Sequence, residues 1–266
     1  MSDRSTLVWK IQHDLAYETL NQHVFLYKDW VYPNDENTWR DCDVLDAGSG
    51  PGIQVRILSR TAKSVTAVDL EAIDVSKKKN QVSDKNIEFI KDDIMLMDLG
   101  RQFDVVNCVG TIHHTDDPTR TFKNLHKHLK PGGRMIIWAY AQEGNGLMRI
   151  VVEPLRKLLL DRASHPVIYG LSYILTALMW PIINTLYRLP LKFLPYHKYF
   201  GNFRKMSFQR NVMNVYDKLN APQQYFLSKE TIESWFNDSD YENVHISSYM
   251  DVSWRASGNK KNANSI

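Results

Sequence analysis

The sequence predicts an α/β protein built on a doubly wound parallel sheet. From residue 43 to residue 141, short apolar runs alternate with segments of helical pattern, which is the βαβ rhythm of parallel strands. The first apolar run ends at Asp46, and glycines follow it at alternate positions: Gly48, Gly50 and Gly52. The second apolar run ends at Asp69. Both patterns are typical of strand ends at the edge where such sheets bind ligands.

Composition narrows the class of protein. The 266 residues are 43% hydrophobic and 24% charged, which is ordinary for a globular protein. A net charge of +3 is too small to indicate nucleic acid by itself. Cys42 and Cys108 lie far apart, which argues against a disulfide framework or a metal site. The first 20 residues carry charges throughout, so we expect no signal peptide.

The glycine-rich turn and the next strand end predict a nucleoside-bearing cofactor. Glycine tolerates positive φ and has no Cβ, so a ligand can approach the backbone closely. A carboxylate at Asp69 is placed to accept hydrogen bonds from both hydroxyls of a ribose. The dinucleotide fingerprint requires a further glycine where Ile53 stands, which argues against a dinucleotide.

The spacing Asp-x-Gly-x-Gly-x-Gly resembles the first motif of class I S-adenosylmethionine-dependent methyltransferases, of the Rossmann-like, small-molecule type. Residues 87–94, 103–109 and 129–138 resemble the family's third, fourth and fifth strands, in the same order. The resemblance covers residues 40–141, and more loosely residues 228–260. It implies a Rossmann-like doubly wound seven-stranded sheet with the last strand antiparallel, and S-adenosyl-L-methionine as the cofactor.

The resemblance also implies which residues bind the cofactor and assigns no metal. The glycine-loop amides would face its methionyl part, Asp69 the ribose, and Asp93 with Ile94 the adenine. Val109 would lie near the methionine portion, and Asp46 would orient the loop. The full implied set is Asp46, Gly48, Gly50, Gly52, Asp69, Leu70, Asp93, Ile94 and Val109.

Two histidines follow the fourth strand at the ligand-binding edge. His113 or His114 can take a proton from an acceptor hydroxyl, because the imidazole pKa lies near neutrality. Alternatively, they only shape the turn into the next helix. Tyr140, after the fifth strand, fits two interpretations equally well: its side chain lines a pocket, or it only packs against its neighbours.

The chain divides into four parts by pattern. We expect residues 1–40 to form an N-terminal helical cap, either packed on the domain edge or acting as a flap over the cofactor. Residues 41–141 and 228–260 form the cofactor-binding domain, in which Asp117-Pro118 and Ser228 begin helices. Residues 261–266 form a tail. Between the two parts of the domain lies an insertion after the fifth strand.

The insertion, residues 142–227, differs in composition from the rest. It carries eleven Lys and Arg against four Asp and Glu, a net charge of +7, so the remainder carries −4. The stretch from Ala163 to Tyr187 contains no charged residue. We expect a mostly helical lid in which Pro166 and Pro181 bracket one helix, too short to cross a bilayer, with a second apolar piece reaching Leu194.

Together these patterns predict a methyltransferase acting on a small or lipid-like acceptor at oxygen or nitrogen. The basic, apolar insertion favours peripheral contact with an anionic membrane by a cytoplasmic protein, although a plain lid with a solvated basic face is the simpler interpretation. Methylation of RNA is an alternative, but residues 107–110 lack the Asn/Asp-Pro-Pro-Tyr/Phe signature of enzymes that methylate exocyclic or amide nitrogens. A protein that binds the cofactor without transferring the methyl group is the third alternative.

Overall fold

The computed structural model describes residues 24–80, 86–160, 163–221 and 223–262. Seven strands form one sheet in the order β3-β2-β1-β4-β5-β7-β6. Their bounds are β1 Asp43–Ala47, β2 Ser64–Asp69, β3 Ile87–Lys91, β4 Phe103–Val109, β5 Leu129–Tyr140, β6 Tyr241–Tyr249 and β7 Ser253–Lys260. The first five strands run parallel, and β7 pairs antiparallel with both β5 and β6. The predicted seven-stranded fold is confirmed.

Helices connect these strands in the described parts of the chain. Their bounds are α1 Val24–Val31, α2 Glu36–Trp39, α3 Ile53–Leu58, α4 Ile73–Asn80, α5 Pro118–Lys127, α6 Glu153–Leu160, α7 His165–Thr185, α8 His197–Phe203, α9 Phe208–Asn220 and α10 Lys229–Trp235. Short 3₁₀ turns cover Ile112–His114 and Leu186–Arg188, and a π-helical turn precedes α6. Two predicted helix starts are confirmed: Asp117 accepts a hydrogen bond from the Arg120 amide, and Ser228 from the Thr231 amide.

The order of the strands places a crevice between β1 and β4. β1 pairs with β2 on one side and with β4 on the other, so the chain connections leave the sheet in opposite directions at this point. Such a switch point opens a ligand-binding crevice at the carboxyl ends of the strands. All the loops predicted to bind the cofactor follow those carboxyl ends.

Apolar side chains cover both faces of the sheet. Alternate residues of a strand face opposite sides, and in β4 Val105 and Val106 belong to separate apolar clusters. Helices α3 and α4 cover one face, with Leu58 and Ile73 fully or nearly fully buried. Helices α5 and α10 cover the other face. The central strands β1, β2 and β4 are therefore buried on both sides, as their continuous apolar runs predict, whereas the edge strand β3 is only partly buried.

The predicted N-terminal cap is described only in part. In α1, Tyr27 and Val31 are buried and pack with Trp39 against the face of the sheet that carries Val44. Residues 1–23, which include the helix predicted from the early apolar periodicity, lie outside the described residues. The last four residues of the predicted tail lie outside them as well.

The insertion is largely helical, but the expectation that Pro181 ends a helix is wrong. Helix α7 continues through Pro181 to Thr185, a run of 21 residues. Proline removes one backbone hydrogen bond, and Asn184 and Thr185 donate side-chain hydrogen bonds to carbonyls one turn back. Beyond the proline, Ile183 is buried in a cluster with Leu26. Packing and these side-chain bonds hold the helix past the break that local preference favours.

Helix α7 is apolar and mostly exposed. With the turn that follows it, it is the one helix in the described parts of the chain that is long and apolar enough to cross a membrane. Its buried positions include Ile168, Ser172 and Ile183, and most of its other side chains are not covered by the residues that the structure describes. In an 18-residue window of this helix, only 22% of the residues are buried.

Candidate functional site

A cleft lies at the carboxyl ends of β1, β2, β3 and β4. It contains about 720 Å³ of space between atoms, which includes space open to solvent. Its lining residues come from the four loops that follow those strands: Gly48, Gly50, Asp69, Leu70, Glu71, Asp92, Asp93, Ile94, Gly110, Thr111, His114, Thr115 and Asp116.

The loop after β1 requires its glycines. Gly48, Gly50 and Gly52 have φ values of 79°, 52° and 88°, in the left-handed region that favours glycine. A Cβ atom added at Gly48 would lie 2.3 Å from the Thr111 side chain, whose hydroxyl donates a hydrogen bond to the Gly48 carbonyl. The β1 and β4 loops are therefore in direct contact, and a side chain at Gly48 would force them apart.

Asp69 holds the glycine loop in place. One oxygen of its carboxylate accepts the Gly50 amide at 2.9 Å, and the other accepts the amides of Glu71 and Ala72 at 2.9 and 2.7 Å. A carboxylate has about four lone-pair sites, so one remains for a ligand hydroxyl. Glu71, which sequence reasoning missed, supplies a second carboxylate to the same part of the cleft. The pair suits the two hydroxyls of a ribose.

The far end of the cleft suits a flat, amino-bearing ring. Leu70 and Ile94 contribute apolar lining, and Asp92 and Asp93 contribute carboxylates. One oxygen of Asp93 accepts the Met95 amide at 2.8 Å, which fixes the orientation of the carboxylate. A carboxylate held in this way can accept a hydrogen bond from a ring amino group.

Six of the nine residues implied for cofactor binding line the cleft, and three do not. Asp46 is fully buried below the loop. Burial, with a smaller contribution from Asp69, raises the pKa of its carboxyl to about 7, although the hydrogen bond from Asn107 lowers it. Gly52 lies at the start of α3, and the Val109 carbonyl accepts a hydrogen bond from Gln54. Asp46, Gly52 and Val109 therefore support the cofactor-binding loops without lining the cleft.

A buried polar network joins these supporting residues. Asn107 donates to Asp46 at 2.7 Å and to Gln54 at 3.0 Å, and its side-chain oxygen accepts the Tyr27 hydroxyl at 3.1 Å. Burial, with Asp46 adding to it, raises the pKa of Tyr27, so the phenol keeps its proton and donates it. The network ties α1 and α3 to the central strands. Asn107, a polar residue inside the apolar run of β4, is the sequence feature from which this network could have been predicted.

The two histidines have different surroundings. His114 lines the cleft, and its Nδ1 lies 2.7 Å from the Gln223 carbonyl oxygen. Because a carbonyl only accepts hydrogen bonds, Nδ1 carries the proton and Nε2 of the neutral ring carries the lone pair. That tautomer is the one a general base at Nε2 requires.

His113 is completely buried and does not line the cleft. Neither of its ring nitrogens has a hydrogen-bond partner within the described residues. Burial lowers its pKa, and the charges of His114 and Lys218 lower it further. Its ring packs 4.1 Å from that of Tyr140, measured between centroids. A neutral, enclosed imidazole of this kind is a packing group.

Tyr140 joins the sheet to the insertion. Its hydroxyl donates to the Asp217 carboxylate at 3.1 Å, and the Lys218 ammonium lies 5.0 Å from its ring centroid. Burial raises the pKa of Tyr140, so its phenol remains protonated. Tyr140 is not among the residues that line the cleft. The centroid of its ring lies 5.9 Å from that of the His114 ring.

The described residues contain no group of three His, Cys, Asp or Glu side chains placed to hold a metal ion.

Part of the chain is similar to known methyltransferase sequences. Residues 45–137 match the family described as "Methyltransferase domain". The chain is 33% identical over 107 residues to a ubiquinone biosynthesis O-methyltransferase of Coxiella burnetii, covering 39% of this chain and 46% of that protein. It is 32% identical over 108 residues to a mitochondrial ubiquinone biosynthesis O-methyltransferase of Schizosaccharomyces pombe, covering 39% of each. The chain thus matches less than half the length of these curated relatives.

Solved structures share the fold over most of the chain. A magnesium protoporphyrin IX methyltransferase from Synechocystis, crystallised with bound S-adenosylhomocysteine, matches with a TM-score of 0.52 at 12% identity, over 93% of this chain and 86% of that one. An O-methyltransferase family protein from Burkholderia thailandensis matches with a TM-score of 0.56 at 12% identity, over 95% of this chain and 60% of that one. At these identities the likeness concerns the fold.

Proposed function

We propose that this chain, which carries a class I S-adenosylmethionine-dependent methyltransferase domain, methylates an oxygen or nitrogen of a small or lipid-like acceptor. The observation that carries the proposal is the cleft, in which the glycine loop, paired carboxylates and His114 meet beside the insertion. When bound, S-adenosylmethionine supplies a methyl group on a sulfonium, which is a good leaving group.

The residues of the cleft divide the work of holding this cofactor. Gly48 and Gly50 present backbone to its methionyl part without a side chain in the way. Asp69 and Glu71 provide acceptors for the ribose hydroxyls, and Asp93 provides one for the adenine amino group. With the donor held in this way, the remaining requirement is to orient the acceptor and exclude water.

His114 is the residue best placed to remove a proton from the acceptor. The Gln223 carbonyl fixes its tautomer, and Gln223 itself donates to the Thr115 carbonyl at 3.0 Å. Tyr225 donates its backbone amide to the His113 carbonyl at 2.8 Å. The end of the insertion is therefore bound to the turn that carries the base, so the insertion and the base are positioned together.

The proposal includes peripheral contact of this cytoplasmic enzyme with an anionic membrane. Its support is a set of exposed apolar side chains, here called the docking face: Leu155, Leu158, Leu159, Val167, Ile174, Leu178, Ile182, Leu189 and Phe193. The four on α7 share one side of that helix, opposite its contact with α9. The insertion also carries a net charge of +7, which attracts an anionic surface. A bilayer would both cover these side chains and supply an apolar acceptor.

A transfer assay with three acceptor pools tests the function. The purified chain is incubated with S-adenosylmethionine labelled on its methyl group and with polar lipids, water-soluble small molecules or RNA from the same cells. We expect label in the lipid or small-molecule pool, and none when Gly48→Val replaces the wild type, because that side chain has no room. Label in RNA alone would contradict the proposed acceptor, and binding of the cofactor with no transfer to any pool would contradict the enzyme activity.

A further inference from the structure

Two basic side chains from the insertion converge beside the end of β5. Arg210 and Lys218 both lie on α9, and both interact with the same three groups: Tyr140, Tyr199 and Asp217. The Lys218 ammonium is 5.0 Å from the Tyr140 ring centroid and 5.5 Å from that of Tyr199. We call these five residues the basic cluster.

The basic cluster carries more positive than negative charge. Asp217 is the one carboxylate among the described groups that act on Arg210 and Lys218, and it already accepts the Tyr140 hydroxyl. Burial lowers the pKa of Arg210 to about 10, which leaves the guanidinium charged at neutral pH. Burial raises the pKa of Tyr140, so that phenol stays neutral. With two basic side chains and one carboxylate, the cluster holds one net positive charge.

One nitrogen of the buried Arg210 guanidinium lacks a hydrogen bond among the described residues. Arg210 is only 9% exposed, and the nitrogen without a partner is its buried Nε. A buried charged donor without an acceptor costs free energy, so such groups are paired in most proteins. An anion bound here would supply the missing acceptor and neutralise the excess charge. The rest of the cluster is partly exposed, so a ligand can reach it.

The basic cluster adjoins the reaction site. His114 lines the cofactor cleft, and its ring centroid is 5.9 Å from that of Tyr140, which belongs to the cluster. Phe226 stacks on Tyr140 at 6.1 Å and extends the aromatic surface. The rings of Tyr140 and Phe226 thus lie between His114 and the basic side chains, so an acceptor with its reacting atom at His114 would have to pass them to reach Arg210.

We infer that Arg210 and Lys218 anchor an acidic group of the acceptor, so that the substrate class is an amphiphilic acid. The inference rests on the proposed function and names the substrate class of that site. A carboxylate or phosphate matches the forked guanidinium, and the ammonium and the Tyr199 hydroxyl add single donors. The apolar part of the acceptor lies against the aromatic rings between the cluster and the cleft.

Binding of three simple amphiphiles to the full chain tests the anchor. Decanoate, decyl phosphate and decanol share a ten-carbon chain and differ in head group. Each is titrated calorimetrically, the two anions below their micelle concentrations and decanol below its solubility limit. We expect both anions to bind at least about tenfold more tightly than the alcohol, because charge-assisted hydrogen bonds form only with the anions. The two anions differ in geometry, so their ratio distinguishes a carboxylate site from a phosphate site.

Matched variants separate the anchor from general charge attraction. Arg210→Met should weaken anion binding by about tenfold or more and leave decanol binding unchanged. Arg210→Lys keeps the positive charge but loses the forked guanidinium, so its affinity for the anions should lie between that of the wild type and that of Arg210→Met. Lys205→Met removes an exposed positive charge from the same insertion and should have little effect.

Equal binding of decanol and the anions, or equal losses in Arg210→Met and Lys205→Met, would overturn the anchor. Cofactor affinity and thermal stability measured on each variant separate these outcomes from misfolding, and Lys218→Met provides a second test if Arg210→Met is unstable. If the anchor fails, cofactor binding and methyl transfer by the wild type remain intact. If the proposed function fails, methyl transfer is absent while the anions still bind.

Discussion

The sheet domain and the insertion use the same residue types in opposite ways. In the sheet, residues such as Val44 and Leu45 are completely buried, and carboxylates collect at the ligand-binding edge. In the insertion, Leu158 is 79% exposed and Phe193 is 80% exposed, whereas Arg210 is buried. The sheet domain completes its own core. Among the described residues, the insertion leaves apolar side chains exposed and places a basic side chain in a buried position, which is the reverse of the sheet domain.

The largest effect should come from His114, where the two regions meet. His114→Ala should lower turnover by roughly 10²–10⁴, the usual contribution of a general base, with cofactor affinity little changed. Turnover is measured with the acceptor pool that takes up label, and cofactor affinity by calorimetry. A loss below tenfold would show that alignment of the acceptor alone carries the reaction and that the acceptor needs no deprotonation.

Asp69 tests the sheet domain by itself. Asp69→Ala removes the acceptor for the Gly50 amide and for the ribose, and we expect cofactor binding to weaken by on the order of 2–4 kcal/mol, which is well over tenfold in affinity. Calorimetry with S-adenosylmethionine and S-adenosylhomocysteine measures this change, and circular dichroism checks that the fold persists.

Glu71→Gln is the matched control for that experiment. It changes the other carboxylate of the same part of the cleft and leaves the glycine loop anchored, so its loss of affinity should be smaller. Unchanged affinity in Asp69→Ala, or preferential binding of NAD by the wild type, would contradict the cofactor assignment.

The docking face tests the insertion by itself. Leu158→Ser combined with Phe193→Ser removes two exposed apolar side chains, and each contributes up to about 1.5–3 kcal/mol when fully buried. Flotation with vesicles containing phosphatidylserine should show binding at least about tenfold weaker than for the wild type. Leu96→Ser is the control, because Leu96 is 56% exposed but belongs to the sheet domain. Wild-type binding that is absent, or that is indifferent to salt and to anionic lipid, would contradict the membrane contact.

The sequence predicted the sheet domain well because its structure is set locally. Apolar runs, the glycine loop and the cap at Asp117 each determine their own segment of backbone. Pro181 shows where such reasoning fails. Local preference ends the helix at this residue, whereas burial of Ile183 beside Leu26 keeps the following turn helical. That contact joins residues far apart in the sequence, and no local pattern encodes it.

The candidate site divides in the same way. Asp69 and Asp93 follow strands and could be placed from the order of motifs. Glu71, Gln54 and Asn107 join the site only through contacts between different loops and strands. The tautomer of His114 is fixed by the carbonyl of Gln223, more than a hundred residues away. Adjacent histidines in a sequence carry no information about which of them reaches the cleft.

The smallest expected effect concerns His113, the packing group between the two regions. Because both of its ring nitrogens are buried without partners, His113→Phe replaces an unsatisfied polar ring by an apolar one of similar shape. We expect the free energy of unfolding at pH 7.5 to be unchanged or slightly higher. Urea unfolding followed by tryptophan fluorescence measures it.

The same variant has a pH signature with a definite sign. The pKa of His113 is lowered in the folded state by burial, so as the pH falls below about 6.5 the unfolded chain takes up a proton that the folded protein does not. The stability from this group is therefore present above that pH and is lost on acidification, at up to about 1.4 kcal/mol per pH unit. Between pH 6.5 and 5, the wild type should lose stability faster than His113→Phe. Parallel pH profiles for the two proteins would mean that His113 takes up a proton in the folded state as readily as in the unfolded chain. The positive charge of that imidazole, next to His114, would then add to the charge of the basic cluster.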